Sequence, residues 1–142
     1  MAGLEDAILL AAKAHFGQKD RAGVPYILHP LRLMFRQTSD AARIAAVLHD
    51  VVEDTPVTLQ QLREAGFPEE VVAAVELLTH DPLATYDQYI ARLKDNPIAR
   101  AVKLADLEDN MQLQRVASLT EKDWDRLQRY HRAWKELSAG RP

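Results

Sequence analysis

The apolar residues of this chain recur at helical spacing along almost its whole length, and no segment alternates apolar and polar residues convincingly with period two. Gly17 ends a first predicted helix over residues 4–16, and residues 18–27, which include glycine and proline, form a predicted loop. A second helix starts near His29, because Pro30 is tolerated in a first helical turn. We therefore predict an all-α fold.

Capping residues and helix breakers place the other helices. We predict them to start at Ser39 or Asp40 with an end at Pro56, over residues 59–65 after Thr58, over 69–79, over 85–94, from Pro97 towards residue 114, and over about 120–138 after Thr120. The chain has 142 residues, no internal repeat and no linker rich in Pro, Gly or Ser. This length predicts a single domain over residues 1–142.

The composition excludes several classes of protein. Hydrophobic residues at 47% and charged residues at 27% are values of a globular chain and not of a disordered or fibrous one. The absence of cysteine excludes a disulfide scaffold, a zinc finger and thiol chemistry, and it suits a reducing cytoplasm. The first ten residues lack the features of a secretory signal, and no apolar run is long enough to span a membrane. We expect a cytoplasmic protein with no membrane partner.

The charge is unevenly distributed along the chain. The net charge of −3 argues against a general nucleic-acid binder, yet residues 13–43 have a local balance of +4, which leaves −7 for the rest. The six basic residues of this stretch are Lys13, Lys19, Arg21, Arg32, Arg36 and Arg43. Such a stretch is either solvated surface or the place where a small phosphorylated ligand is attracted.

Residues 48–55 (LHDVVEDT) combine acidic residues with a histidine beside apolar core positions. Helical spacing places Glu53 one turn from His49, and Asp54 one turn from Asp50. Burying these carboxylates together is costly unless a cation compensates them, which favours a metal site. The alternative is a solvated acidic helix end.

A second acidic segment lies near the end of the helix that Pro97 opens. Lys103, Asp106 and Asn110 fall at positions i, i+3 and i+7, on one face of a helix with apolar neighbours. This pattern fits a functional acid, and equally a structural Lys–Asp pair. His29, taken alone, is explained as well by a loop histidine with an ordinary hydrogen-bond partner.

Histidine and carboxylate side chains without a thiolate suit Mn²⁺, Fe²⁺ or Zn²⁺ as ligands. Two imidazoles and two carboxylates from separate helices can hold one ion and leave positions open for water and substrate. Such an ion makes hydroxide available near neutral pH and polarises a phosphoryl oxygen. Glu53 and Asp54 could then orient or deprotonate the water.

Taken together, these segments resemble the HD superfamily of metal-dependent phosphohydrolases. More narrowly, they resemble the hydrolase domain of the RelA/SpoT alarmone enzymes and their small stand-alone relatives. The strings that carry the resemblance lie within about residues 7–115: AHFGQ at 14–18, GVPYILHP at 23–30, LHDVVEDT at 48–55, VKLAD at 102–106, and Asn110-Met111.

The resemblance implies an all-helical HD-domain bundle that removes the 3′-pyrophosphate of guanosine tetra- or pentaphosphate, typically with Mn²⁺. It implies that the metal ligands are His29, His49, Asp50 and Asp106. Glu53 and Asp54 become the pair that activates water. The residues that meet the substrate become Arg21, Tyr26, Lys103 and Asn110, and Tyr26 is explained equally well by a structural role.

Two positions depart from the family pattern. Asp20 stands where relatives carry an Arg that lies against the guanine base, and an acid can neither stack in this way nor attract phosphate. Leu107 stands where a basic residue commonly follows the Asp. Guanine preference is therefore open, although the metal chemistry is unaffected. The chain is also too short to hold a synthetase domain, which argues against a bifunctional enzyme.

Two alternatives to alarmone hydrolysis follow. The first is an HD-type nucleotidase or phosphatase that acts on another nucleotide, for example NADPH. The second is a non-catalytic module that binds a metal or nucleotide. The sequence leaves the oligomeric state undetermined.

Overall fold

The computed structural model describes residues 1–139, and the regular secondary structure within this range is helical. The helices are α1 (Leu4–Ala14), α2 (Leu28–Phe35), α3 (Asp40–Leu48), α4 (Val51–Asp54), α5 (Leu59–Glu64), α6 (Glu69–Leu78), α7 (Tyr86–Leu93), α8 (Pro97–Asn110) and α9 (Glu121–Ser138), with a 3₁₀ turn at Leu113–Arg115. The all-α prediction is confirmed. Residues 140–142 lie outside the described residues, and the domain boundary of 1–142 stays a prediction.

The predicted capping residues Ser39, Thr58 and Thr120 begin their helices as expected, and Thr85, predicted as the first residue of its helix, is also an N-cap. The Ser39 hydroxyl accepts a hydrogen bond from the N–H of Ala42 at 3.2 Å, so Ser39 and not Asp40 is the N-cap of α3. Thr58, Thr85 and Thr120 each form a capping box with the side chain three residues later. These caps satisfy N–H groups that a helix start otherwise leaves without partners.

Three helices end two or more residues before the predicted position. The first helix stops at Ala14, and Gly17 follows in the left-handed region with φ +83°, which a glycine adopts without strain. The third stops at Leu48, and α4 is a separate single turn with Asp50 at its N-cap position but without a capping hydrogen bond from the Asp50 side chain. The eighth stops at Asn110 and not near residue 114. The helix is interrupted at residues 49–50, so His49 ends α3 while Asp50 begins α4. Asp54 follows Asp50 by one turn as predicted, but Glu53 and His49 do not share a helix.

Helices α3 and α8 form the centre of the fold. Helix α3 packs against α1, α2, α6 and α8, and the segment from Ile44 to Leu48 is buried throughout. The small side chains of Ala45 and Ala46 are fully buried there. Helix α8 also contacts α2, α6 and α9. Because α2, α3 and α8 all touch one another, the three segments that the sequence singled out meet in one place.

The described residues contain no helix that is both long enough and apolar enough to cross a lipid bilayer.

Leu93 provides a test of the core. It is 0% exposed at the end of α7, so we expect Leu93→Ala to lower the free energy of unfolding by about 2–5 kcal/mol through lost contacts and a cavity. Leu83 is 94% exposed in the preceding loop, so Leu83→Ala is the matched control, with a change within about 0.5 kcal/mol. Denaturant unfolding measures both, and equal losses would contradict the packing described.

Candidate metal centre and its cavity

Three buried side chains from three helices meet at one point. His29 lies in the first turn of α2, His49 is the C-terminal cap of α3, and Asp106 lies on α8. One candidate ligand atom from each lies within 4.8 Å of the other two. The carboxylate of Asp50 joins them, with Oδ2 3.0 Å from His49 Nε2. The structure thus brings together the four residues predicted as metal ligands.

Both imidazoles are oriented through their Nδ1 atoms. His49 Nδ1 lies 2.7 Å from the carbonyl oxygen of Ala46, and His29 Nδ1 lies 2.7 Å from Asp109 Oδ2. These partners only accept hydrogen bonds, so each Nδ1 is the protonated nitrogen that donates. In the neutral ring, each Nε2 therefore directs a lone pair at the centre.

The donor set fits a divalent cation. His29 Nε2 lies 2.9 Å from Asp106 Oδ1, and His49 Nε2 lies 3.7 Å from the same oxygen. At 2.9 Å, the lone pairs of His29 Nε2 and Asp106 Oδ1 repel each other unless a proton or a cation lies between the two atoms. His49 Nε2 is buried and makes no hydrogen bond within residues 1–139. Imidazole nitrogens and carboxylate oxygens together suit a transition metal better than Ca²⁺.

The charges around Asp106 compensate one another. Burial alone would raise the pKa of Asp106, but Lys103 and the two imidazoles hold it well below its ordinary value. Lys103 Nζ donates to Asp106 Oδ2 at 2.8 Å, and Asn110 Nδ2 donates to Oδ1 at 3.0 Å. For both histidines, burial lowers the pKa, and the nearby carboxylates outweigh it and raise the pKa overall. The predicted Lys–Asp contact is present, with Asn110 as a third member.

Tyr26 contacts the centre through Asp50. Its hydroxyl donates a hydrogen bond to Asp50 Oδ2, and its ring lies against the rings of His15 and His29. Burial raises the pKa of Tyr26, with the charge of Asp50 as a second cause, so the phenol stays protonated. Tyr26 therefore has a structural contact with Asp50 and also lines the cavity, and its contact with substrate stays a prediction.

The two acids of α4 lie at the edge of the centre. Glu53 is exposed, and its Oε1 accepts the backbone N–H of His80 at 2.7 Å. Burial and the neighbouring carboxylates Asp50 and Glu53 raise the pKa of Asp54 to about 6. A carboxyl group with such a pKa can accept or donate a proton near neutral pH.

A cavity of about 750 Å³ opens over the centre, and all ten residues predicted for the site line it. Its volume lies in the range of ligand pockets. Among the predicted substrate residues, Lys103 and Asn110 are bonded to Asp106, and Arg21 forms an ion pair with Asp123 of α9. The side chain of Arg21 remains 52% exposed. Of the six residues in the basic stretch, Lys19, Arg21 and Arg32 line the cavity.

Asp20 also lines the cavity, and it has a local structural role. Its Oδ1 accepts the backbone N–H groups of Ala22 at 2.8 Å and Val24 at 3.2 Å. An aspartate in this position stabilises the turn through its own side chain. The departure from the family pattern at this position is therefore part of how the loop before α2 folds.

Sequence reasoning missed two groups of residues at the site. The first is Asp109, which anchors His29 and follows Asp106 by three residues on the same helix face. The second is the part of the cavity lining that comes from residues 80–89 and from α9, namely His80, Tyr86, Tyr89, Arg126, Arg129 and Tyr130. The spacing of Arg126, Arg129 and Tyr130 on α9 was the available signal, because positions i, i+3 and i+4 share a face.

Comparison with known proteins agrees with this geometry. A family model described as the HD domain matches residues 7–130. The chain belongs to the HD-domain family.

Individual relatives of the chain have names that state a particular activity. The guanosine-3′,5′-bis(diphosphate) 3′-pyrophosphohydrolase of Aquifex aeolicus is 31% identical over 120 residues, which is 76% of this chain and 17% of that protein. The bifunctional (p)ppGpp synthase/hydrolase SpoT of Escherichia coli is 40% identical over 77 residues, which is 51% of this chain and 11% of that protein. The chain thus spans less than a fifth of the length of these curated relatives.

A solved structure shares the fold. The structure of a metazoan ortholog of SpoT that hydrolyses ppGpp superposes with a TM-score of 0.78 at 22% identity, covering 99% of this chain and 87% of that one. The predicted HD-type helical bundle is therefore confirmed.

Proposed function

We propose that this protein is a metal-dependent phosphohydrolase that removes the 3′-pyrophosphate of guanosine tetra- and pentaphosphate. The observation that carries the proposal is the convergence of His29, His49 and Asp106 at the floor of a cavity large enough for a nucleotide. The named activity of the relatives supports the choice of substrate. The partner is a small nucleotide and not a nucleic acid, and the cysteine-free chain suits the cytoplasm.

Four residues would hold the metal in this proposal: His29 and His49 through Nε2, and Asp50 and Asp106 through carboxylate oxygens. We infer Mn²⁺, in line with the family resemblance, and other divalent transition metals suit the same donors. When bound, the ion would lower the pKa of water and polarise a phosphoryl oxygen.

The chain's own residues supply the remaining steps. Glu53 and Asp54 would orient the attacking water and take its proton, because both carboxylates lie one helical turn or less beyond Asp50. Water attacks the phosphorus bonded to the 3′ oxygen, the bond between this oxygen and phosphorus breaks, and pyrophosphate leaves. The 3′ oxygen gains a proton, and the nucleotide product is guanosine di- or triphosphate.

The basic side chains of the cavity support a polyphosphate ligand. Lys19 and Arg21 come from the loop before α2, and Arg126 and Arg129 come from α9, where Arg21 and Arg126 both pair with Asp123. Basic side chains in a concave site attract an anionic ligand, and here they share the cavity lining with the acids of the metal centre and with Asp20. Lys103 and Asn110 line the cavity beside Asp106, and we propose that they contact the phosphate or nucleotide.

Product identification tests the proposal. Purified protein loaded with Mn²⁺ is incubated with guanosine tetraphosphate, and we expect guanosine diphosphate and pyrophosphate in equal amounts. Asp20 in the cavity wall favours one rival, an HD enzyme for another nucleotide, so a substrate panel that includes NADPH is run in parallel. Faster turnover of another nucleotide would favour the rival. Metal binding with no turnover of any substrate would favour a binding module.

Asp106→Ala tests the metal site. The variant loses a ligand and leaves Lys103 buried without its partner, so we expect loss of bound Mn²⁺ and of hydrolysis. Metal content is measured after dialysis, and circular dichroism checks the fold. Asp40→Ala removes an aspartate whose side chain is 93% exposed, and it should retain metal and activity. Full metal occupancy in Asp106→Ala would overturn the ligand assignment.

Glu53→Gln separates water activation from metal binding. The amide oxygen of Gln can still accept the N–H of His80, but the side chain cannot take a proton. We expect unchanged Mn²⁺ content and a fall in kcat of about 10²–10⁴-fold. Loss of the metal together with activity would instead make Glu53 a ligand.

Asp20→Asn tests the charge of the loop. Asn keeps an oxygen for the N–H groups of Ala22 and Val24, so the turn is retained while one negative charge leaves the cavity. We expect KM for guanosine tetraphosphate to fall by roughly two- to fivefold, the size of one partly screened charge interaction. Asp40→Asn is the control outside the cavity. A higher KM in Asp20→Asn would show that Asp20 itself contributes to binding.

A further inference from the structure

Asp109 is a buried acid of α8 whose side chain contacts residues of two other elements, α2 and the 3₁₀ turn. Its side chain is 3% exposed, and Oδ2 lies 2.7 Å from His29 Nδ1. Arg32 donates to both carboxylate oxygens at 2.9 Å, and Arg115 lies 3.4 Å from Oδ1. The bidentate contact from Arg32 and the nearby guanidinium of Arg115 balance the charge of this buried carboxylate.

The two arginines hold this carboxylate from different elements. Arg32 follows His29 by one turn on α2, so its bidentate contact fixes the carboxylate relative to the helix that carries the imidazole. Arg115 ends the 3₁₀ turn and also donates to the carbonyl oxygen of Asp109 at 2.9 Å. The carboxylate of Asp109 is thus held in place by Arg32 from α2 and by Arg115 from the 3₁₀ turn.

The two imidazoles of the centre are anchored by different chemistry. His49 Nδ1 donates to a main-chain carbonyl, whereas His29 Nδ1 donates to a charged carboxylate. A charged acceptor forms the stronger hydrogen bond and makes the opposite ring nitrogen more basic. A change at Asp109 should therefore act on His29 and leave His49 unaffected.

We propose that Asp109 is a positioning residue that sets the affinity of the metal centre. It fixes His29 in the tautomer with Nδ1 protonated, and it orients Nε2 towards Asp106 and His49. Arg32 and Arg115 serve this role by holding the carboxylate, which assigns them to the metal centre and not to the phosphates of the substrate. This inference rests on the metal site in the proposed function.

The test is metal affinity, measured by titrating Mn²⁺ into metal-free full-length protein in a calorimeter. We expect Asp109→Asn to weaken binding by about 10- to 100-fold, the range found when partners of metal-ligating histidines are replaced. Asn keeps the size of the side chain, so the variant should fold. Glu108→Gln is the matched control, because Glu108 also pairs with an arginine from α2, Arg36, but does not contact His29. The Glu108→Gln variant should bind Mn²⁺ with the same affinity as the natural sequence.

A second readout separates positioning from general loosening of the fold. In Zn²⁺-loaded protein, the Nδ1 proton of His29 should resonate downfield because of its charged acceptor. It should shift upfield in Asp109→Asn while the Nδ1 proton of His49 stays unchanged. Unchanged Mn²⁺ affinity in Asp109→Asn, or equal shifts at both histidines, would overturn the inference. If the natural sequence bound no divalent metal, the proposed function would fall with it.

Discussion

The fold is organised around the buried carboxylate of Asp106, which needs charged and hydrogen-bonding partners to remain ionised. Asp106 lies among apolar residues of α8, and a charge in such a place costs several kcal/mol unless it is compensated. Its partners come from three elements: Lys103 and Asn110 from its own helix, His29 from α2, and His49 from the end of α3. These contacts require that α2, α3 and α8 pack against one another, so the site and the core depend on the same interface.

Most of the fold could be predicted because its signals are local. Threonine caps and the proline at the start of α8 act through the backbone of their own turn, so they are visible in the sequence. The break between α3 and α4 could not be predicted in this way. It coincides with a hydrogen bond from the ring of His49 to the carbonyl of Ala46, and apolar periodicity continues across it. The side chain of His49, a residue of the candidate site, thus coincides with the end of α3, where helix propensity alone predicts that the helix continues.

The candidate site was predictable to the extent that its residues share a helix face or a family string. Lys103, Asp106 and Asn110 fall on one face, and their contacts follow directly from that spacing. Asp109 shares this periodicity, but its function depends on Arg32, which is 77 residues away in the chain. Likewise, the ion pair between Arg21 and Asp123 joins a loop to α9. Such pairs arise from tertiary packing, and a single sequence holds no local signal for them.

In the proposed function, the charges of the centre explain how one set of residues would bind both a cation and an anion. With neutral imidazoles, Asp50 and Asp106 contribute two negative charges, and Lys103 returns one positive charge at 2.8 Å from Asp106. In this protonation state the inner cluster would be negative, which favours a divalent cation, and it would become positive with such a cation bound, which favours a phosphate. Without Lys103 the loaded cluster would be neutral and its attraction for phosphate weaker. The lysine therefore stabilises the buried acid and, in the proposed function, would also make the loaded centre attractive to an anionic substrate.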